Sequence, residues 1–206
     1  MDSRFRGNDN MQKPYNKNKI GKFIGWGGEH LVFQYGDKQV IKFSLHVFIS
    51  GKSAVDKIIK DYNIGNRYFN RYLLPTEILH YKKGKRCVEI QEKIECRFLE
   101  KKDLQIDLIK QQFNDIMKRY ERIKKETGEV FDLFGREGLF RLKSDVISNI
   151  LVTSSPSHKG GVNNKLILID FTILKLDKIK IREIPIWLFI EWAKRRQKKL
   201  LKKFIK

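Results

Sequence analysis

The sequence predicts an α+β protein of two lobes, rich in strand to about residue 98 and mainly helical after it. Two stretches, Ile20–Phe43 and Glu77–Ile94, alternate apolar and polar residues around glycine-containing turns, and a period of two belongs to half-buried strands. Between them, and again after Leu104, apolar residues recur every three or four positions, the period of a helix buried along one face. An apolar run that closes on an aspartate, Leu166-Ile167-Leu168-Ile169-Asp170, then returns to strand.

In chain order, residues 1–19 are polar and unpatterned and are expected to form a disordered tail. Met11 is an alternative start, and Asp2–Asp9 looks like a translated genomic repeat. Val32 and Phe33 lead into the turn Tyr35-Gly36-Asp37-Lys38, from which Gln39–Phe43 returns as the second arm of a β-hairpin. Ahead of it stand Gly25, Gly27 and Gly28, residues whose missing Cβ lets backbone N–H groups approach a bulky anion. Lys42 lies beside Val40 and Ile41 in a strand expected to be half buried, where an ammonium calls for an anion. The helix Ser53–Tyr72 carries two acids, Asp56 and Asp61, and ends by Leu74-Pro75, since the residue before proline avoids the helical region. Strands Glu77–Tyr81 and Cys87–Ile94 flank Lys82-Lys83-Gly84-Lys85. Leu104–Thr127 is a second long helix with Gly128 at its C-cap position. Asn149–Val152 and Leu166–Phe171 form a strand pair around a Ser/Pro/Gly/Asn loop at 154–164.

The composition, 206 residues with 41% hydrophobic, is enough for a folded core. A formal charge of +20, from 44 Lys+Arg against 24 Asp+Glu, favours anionic partners: nucleotide phosphates, acidic lipid or nucleic acid. On the helix Leu104–Thr127, acids interleave with Lys110, Lys118, Arg119, Arg122, Lys124 and Lys125, so that face reads as solvated surface and nucleic acid is the weaker partner class. Cys87 and Cys96 make neither a C-x-x-C metal signature nor a disulfide framework, and a cytoplasmic location is expected. No apolar run is long enough to span a membrane. Ile184–Lys206 is a basic amphipathic helix. Either Trp187, Ile190 and Trp192 pack on the second lobe, or the lysine run rests on an acidic membrane, where each basic group contributes about 1 kcal/mol.

Gly25-x-Gly27, Val32 and Val40-Ile41-Lys42, in that order, resemble the phosphate-covering loop and third-strand lysine of the protein-kinase-like fold. The resemblance covers about Ile20–Leu176 and implies an ATP-binding phosphotransferase with an N-terminal antiparallel sheet plus one helix and a reduced, mainly helical C-lobe. By it, Gly25, Gly27, Gly28 and Val32 cover the nucleotide and Lys42 neutralises its phosphates. Asp61, preferred to Asp56, stands in for the usual helix glutamate that pairs with the lysine. Glu92, Lys93 and Ile94 would be the hinge whose backbone meets the adenine edge. Asn149 and Asp170 would hold Mg2+ through hard oxygen donors.

The catalytic loop departs from the family's pattern, in which the proton-accepting aspartate lies five residues before the asparagine. Here that residue is Ser144, and Asp145 lies four before Asn149. Asp145 is assigned as base through a compensating deletion, the alternative being a nucleotide-binding module impaired in transfer. Thr172 replaces the glycine of Asp-Phe-Gly, and His30 the third loop glycine. With 36 residues after Asp170, the likeness is to compact bacterial kinase-like proteins, including those that phosphorylate lipopolysaccharide core sugars. The expected organisation is a tail at 1–19, an N-lobe at 20–98 and a C-lobe at 99–206 that ends in the basic helix. The acceptor is a protein, sugar or lipid-linked molecule. A basic membrane- or nucleic-acid-binding protein without nucleotide is the expectation from another class.

Overall fold

A computed structural model describes residues 13–26, 30–135, 145–156, 162–174 and 184–205. The chain is α+β, and among the described residues the strands form two antiparallel sheets, one of five strands and one of three. It divides into two compact units, Met1–Asn63 with Leu74–Ile94, and Ile64–Leu73 with Glu95–Lys206.

The first unit holds β1 (Ile20–Trp26), β2 (His30–Tyr35), β3 (Gln39–Ser44), the short helix α1 (Leu45–Ser50), most of α2 (Lys52–Phe69), β4 (Thr76–Tyr81) and β5 (Arg86–Glu92). The sheet order is β1-β2-β3-β5-β4. The β2–β3 hairpin closes with Tyr35 opposite Gln39, and Gly36 takes a left-handed φ of 62° in the turn. One sheet face buries Tyr35, Ile41, Leu79, Tyr81, Val88 and Ile90. Tyr15 joins this core edge-on to Phe43 and Tyr81, and the Asn16 N–H donates to the Tyr35 hydroxyl at 3.0 Å. Residues 13–19, expected to be tail, are therefore folded against the sheet, because one aromatic with an apolar partner surface outweighs a polar neighbourhood. The other face meets the helices, where Val47 of α1 and Ala54 and Val55 of α2 cluster with Ile78 and Cys87. The sequence pattern does not predict α1, since six residues are too few to establish a period.

The second unit holds the last residues of α2, β6 (Cys96–Glu100), α3 (Asp107–Thr127), β7 (Val146–Pro156), β8 (Val162–Leu168) and α4 (Ile184–Ile205), with sheet order β6-β7-β8. β6 pairs with β7, which moves the boundary from residue 98 back to Ile94. The β7–β8 ladder continues to Pro156 opposite Val162, well into the stretch expected to be loop. α3 buries Ile109, Phe113, Ile116, Tyr120 and Ile123 and stops at Gly128, which has a left-handed φ of 69°. α4 is seated by its C-terminal half, where Ala193, Gln197, Leu200, Leu201 and Phe204 are buried while Trp192 stays 43% exposed. The lysine-rich end of this helix therefore carries core residues, while nearer its front Ile190 is half-buried. The Trp187 side chain lies outside the described residues.

Candidate functional site

The first unit contributes a buried polar file on the helix-facing side of its sheet. Directly opposed residues share a face, and Lys42 on β3 is opposed by Val32 on β2 and by Glu89 on β5. Glu89 in turn meets His30, whose Nε2 lies 3.0 Å from Oε1. His30, Lys42 and Glu89 are 7–8% exposed. Burial alone would push the Glu89 carboxyl up, but the charge and hydrogen bond of His30, together with Lys42, outweigh it and hold the carboxyl below its ordinary range. The file continues through Gln91, whose Nε2 donates to the Thr76 hydroxyl at 2.7 Å. Cys87 is no nucleophile, since burial first and the charge of Glu89 second push its thiol up to about 12.

Sequence reasoning missed Glu89, although an acid between Val88 and Ile90 in a strand flanked by apolar residues is the signal of a buried carboxylate. Of the two helix acids, Asp56 is exposed and Asp61 is buried. Asp61 is ion-paired with Lys57 one turn earlier, and the sheet also sets Glu89 opposite Lys42. Gly25 lies in β1 opposite Val32, with open space where a Cβ would project. Gly27 and Gly28 lie outside the described residues. In the expected hinge, Glu92 closes β5, and Lys93 donates its N–H to the Lys38 carbonyl at 2.8 Å. That bond continues the β3–β5 ladder, so the Lys93 N–H is already paired.

The second unit contributes an oxygen-rich cluster at one end of the β7–β8 pair. Asn149 on β7 accepts the Ile169 N–H at its carbonyl, 3.3 Å away, and the half-buried Asp170 lies two residues past the end of β8. The Asn149 amide donates to the Asp132 carbonyl at 2.9 Å, and the Asp132 N–H donates to the Thr172 carbonyl at 2.9 Å. Asp132 therefore stands between the asparagine and the segment Asp170-Phe171-Thr172. One oxygen of its carboxylate accepts the N–H groups of Phe134 and Gly135, at 3.0 and 2.9 Å. Neighbouring contacts fix the segment, with Phe131 stacked on Phe171 at 4.8 Å and bridged to Ile173. Gly135 is required at its place. Its φ is 56°, and a Cβ there would lie 2.5 Å from the Ser148 hydroxyl and 2.6 Å from the Asn149 Oδ1.

Asp145 is the residue assigned as base from the sequence. It is exposed in the turn before β7, and its carbonyl accepts the Lys101 N–H at 2.8 Å. Four residues of strand can separate it from Asn149 by up to about 13 Å. It lines a surface hollow with Glu100, Lys101 and Lys110. Asp132 takes the position beside Asn149, a residue missed because the search for a base ran only five residues upstream. Its one sequence signal is an acid inside the apolar run Val130–Phe134. Ser144 lies outside the described residues.

No group of three or more His, Cys, Asp or Glu side chains suited to a metal occurs among the described residues. Asn149 and Asp170 fit the lesser demand of magnesium, which takes one or two protein oxygens and fills its shell from phosphates and water. No helix among the described residues is long and apolar enough to cross a membrane. No protein-family model matches the chain, and no curated protein or solved structure matches it either.

Proposed function

We propose that the chain is a kinase-like, ATP-binding phosphotransferase that uses Asp132, in place of Asp145, as its proton acceptor. The observation that carries this is the backbone tie through Asp132, whose carbonyl accepts the Asn149 amide and whose N–H donates to the Thr172 carbonyl, which sets Asp132 beside Asn149 and the segment that includes Asp170. Further support is the buried Lys42 with its cross-strand Glu89, in an antiparallel sheet with helices inserted between its third and fourth strands in chain order. In this reading Lys42 neutralises the nucleotide phosphates and Glu89 holds the ammonium in place. Asn149 and Asp170 would hold magnesium, which neutralises charge on the transferring group. The acceptor hydroxyl oxygen attacks the γ-phosphorus and its proton passes to the Asp132 carboxylate. The bond from the γ-phosphorus to the β,γ-bridging oxygen breaks, and ADP leaves. The acceptor is a protein, sugar or lipid-linked hydroxyl.

Calorimetry with Mg-ATP tests binding. The expected result is a heat of binding that weakens in Lys42→Ala, and no heat or thermal shift at millimolar nucleotide would sink the proposal. Transfer from radiolabelled ATP tests the base. Asp132→Ala should lower it by about 100-fold or more, the scale of lost general-base assistance, while Asp145→Ala should leave it nearly unchanged. The reverse order would return the role to Asp145. Binding without transfer in all three proteins would leave a nucleotide-binding module and no enzyme.

A further inference from the structure

The end of α2 and the adjoining face of α3, both in the second unit, form an open surface hollow of about 290 Å3 lined by Arg67, Tyr68, Asp115, Lys118, Arg119 and Arg122. Four cations thus line the hollow with Asp115, and Glu126 stands beside it against Arg122 and Tyr68. The guanidinium groups are held in place from behind by aromatic rings. Arg67 and Arg122 lie 5.5 and 5.9 Å from the centre of the buried Tyr68 ring, and Arg71 and Arg119 lie 4.8 and 5.8 Å from that of Tyr72. Arg119 is fixed further by bonds from Nε to Asp115 at 2.9 Å and from Nη1 to the Tyr68 carbonyl at 2.7 Å. Arg122 donates Nε to Glu126 at 2.7 Å, and the Tyr68 hydroxyl donates to the same carboxylate at 2.6 Å.

A guanidinium has five N–H donors, so these bonds orient each plane and leave further donors for a ligand. Asp115 is already shared among Arg119, Tyr72 and, at 3.4 Å, Arg71. Among the described residues, Arg67 and Lys118 take part in no ion pair. A solvated helix face, as at the Glu121–Lys124 pair with its 3.7 Å separation, alternates its charges without a hollow or an aromatic wall. A surface for a nucleic-acid backbone would spread its cations in a stripe along the strand it follows. This cavity instead gathers them in one hollow just below the usual ligand-pocket range.

We propose that the cavity is a binding site for a compact oligophosphate group, either free or at the end of a small molecule. Planar guanidinium groups with fixed donors are suited to its several anionic oxygens. The site is independent of the nucleotide assignment.

The test is calorimetry of the full chain with inorganic pyrophosphate at physiological ionic strength. Arg67→Gln/Lys118→Gln removes two cations and leaves every ion pair of the cavity in place, and it should weaken pyrophosphate by at least about tenfold. Lys198→Gln/Lys199→Gln on α4, which removes the same charge elsewhere, should bind as the wild type does. No heat at millimolar pyrophosphate would overturn the proposal, as would equal weakening by the two double variants, since that reports net charge only. Loss of binding in Lys42→Ala with none in Arg67→Gln/Lys118→Gln would place the pyrophosphate with Lys42 and also overturn it. A single-stranded oligonucleotide that displaces pyrophosphate and is weakened equally by both double variants would make the cluster a nucleic-acid contact, against the proposal.

Discussion

Replacing Glu89 by glutamine keeps the shape of the side chain and removes the charge that both His30 and Lys42 face. Its folded-state pKa is held below the ordinary carboxylate value, which is about 4.3. Its stabilisation is therefore complete above that value and is lost as pH falls through the lower, folded one. Glu89→Gln should be less stable than the wild type by about 3 kcal/mol near neutrality, the scale for breaking a buried pair from one side. Urea titrations at neutral pH and in acid measure the gap, which should shrink in acid; a gap independent of pH would remove the charge from the argument. A second residue-scale comparison uses two left-handed glycines. Gly128 has open space around it, and alanine there pays only the backbone cost of about 1 kcal/mol. Gly135 carries the same backbone cost plus the clash with Ser148 and Asn149, so Gly135→Ala should lose about 3 kcal/mol. Equal midpoint shifts in urea for the two variants would mean that the Asn149 side chain moves aside freely.

At the scale of elements, the end of α2 lies against Phe171 through a glycine. A Cβ on Gly65 would stand 2.8 Å from the Phe171 ring. Alanine in an unhindered helix gains up to about 1 kcal/mol over glycine, while overpacking a filled core costs about 1–3 kcal/mol. Gly65→Ala should therefore destabilise, and adding Phe171→Leu should give a smaller total than the two single losses summed, as coupled neighbours do. Strict additivity in thermal melts would rule out the contact. The same element shows where sequence pattern reaches its limit. The period of α2 is plain from Val55, Ile58, Ile59 and Tyr62, and the β2–β3 hairpin is plain from its turn residues, because both signals lie within a few positions. The partnership of Lys42 with Glu89 spans strands 47 positions apart, and that of Asp132 with Asn149 spans 17. Pairings of that kind are set by register and loop path, for which no local residue pattern exists.

For the whole molecule, the charge of +20 sets a response to salt. Like charges in excess repel one another and destabilise the compact state, and added electrolyte screens them within about 8 Å at physiological strength. The melting temperature should rise as sodium chloride is raised from a few millimolar, even though the same screening weakens exposed pairs such as Lys102–Glu100 and Arg122–Glu126. A fall would show that local pairs outweigh the net excess. Composition made that excess visible, but it could not say which basic groups are decorative. Leu200, Leu201 and Phe204 alternate with lysines at the end of α4 and are nonetheless core residues. A lysine run is read as solvated until the residues it would cover are known.

The fully buried Gln197 accepts the Leu133 N–H at 2.8 Å and donates to the Phe131 carbonyl at 2.9 Å and the Tyr120 hydroxyl at 3.1 Å. The backbone beside Asp132 is thereby completed by a side chain some 65 positions further on. As the chain leaves the ribosome, everything the first unit needs has been made by residue 94. The loop that presents Asp132 must wait for α4, so whatever chemistry it performs is withheld from the nascent protein and from any fragment that stops short of that helix.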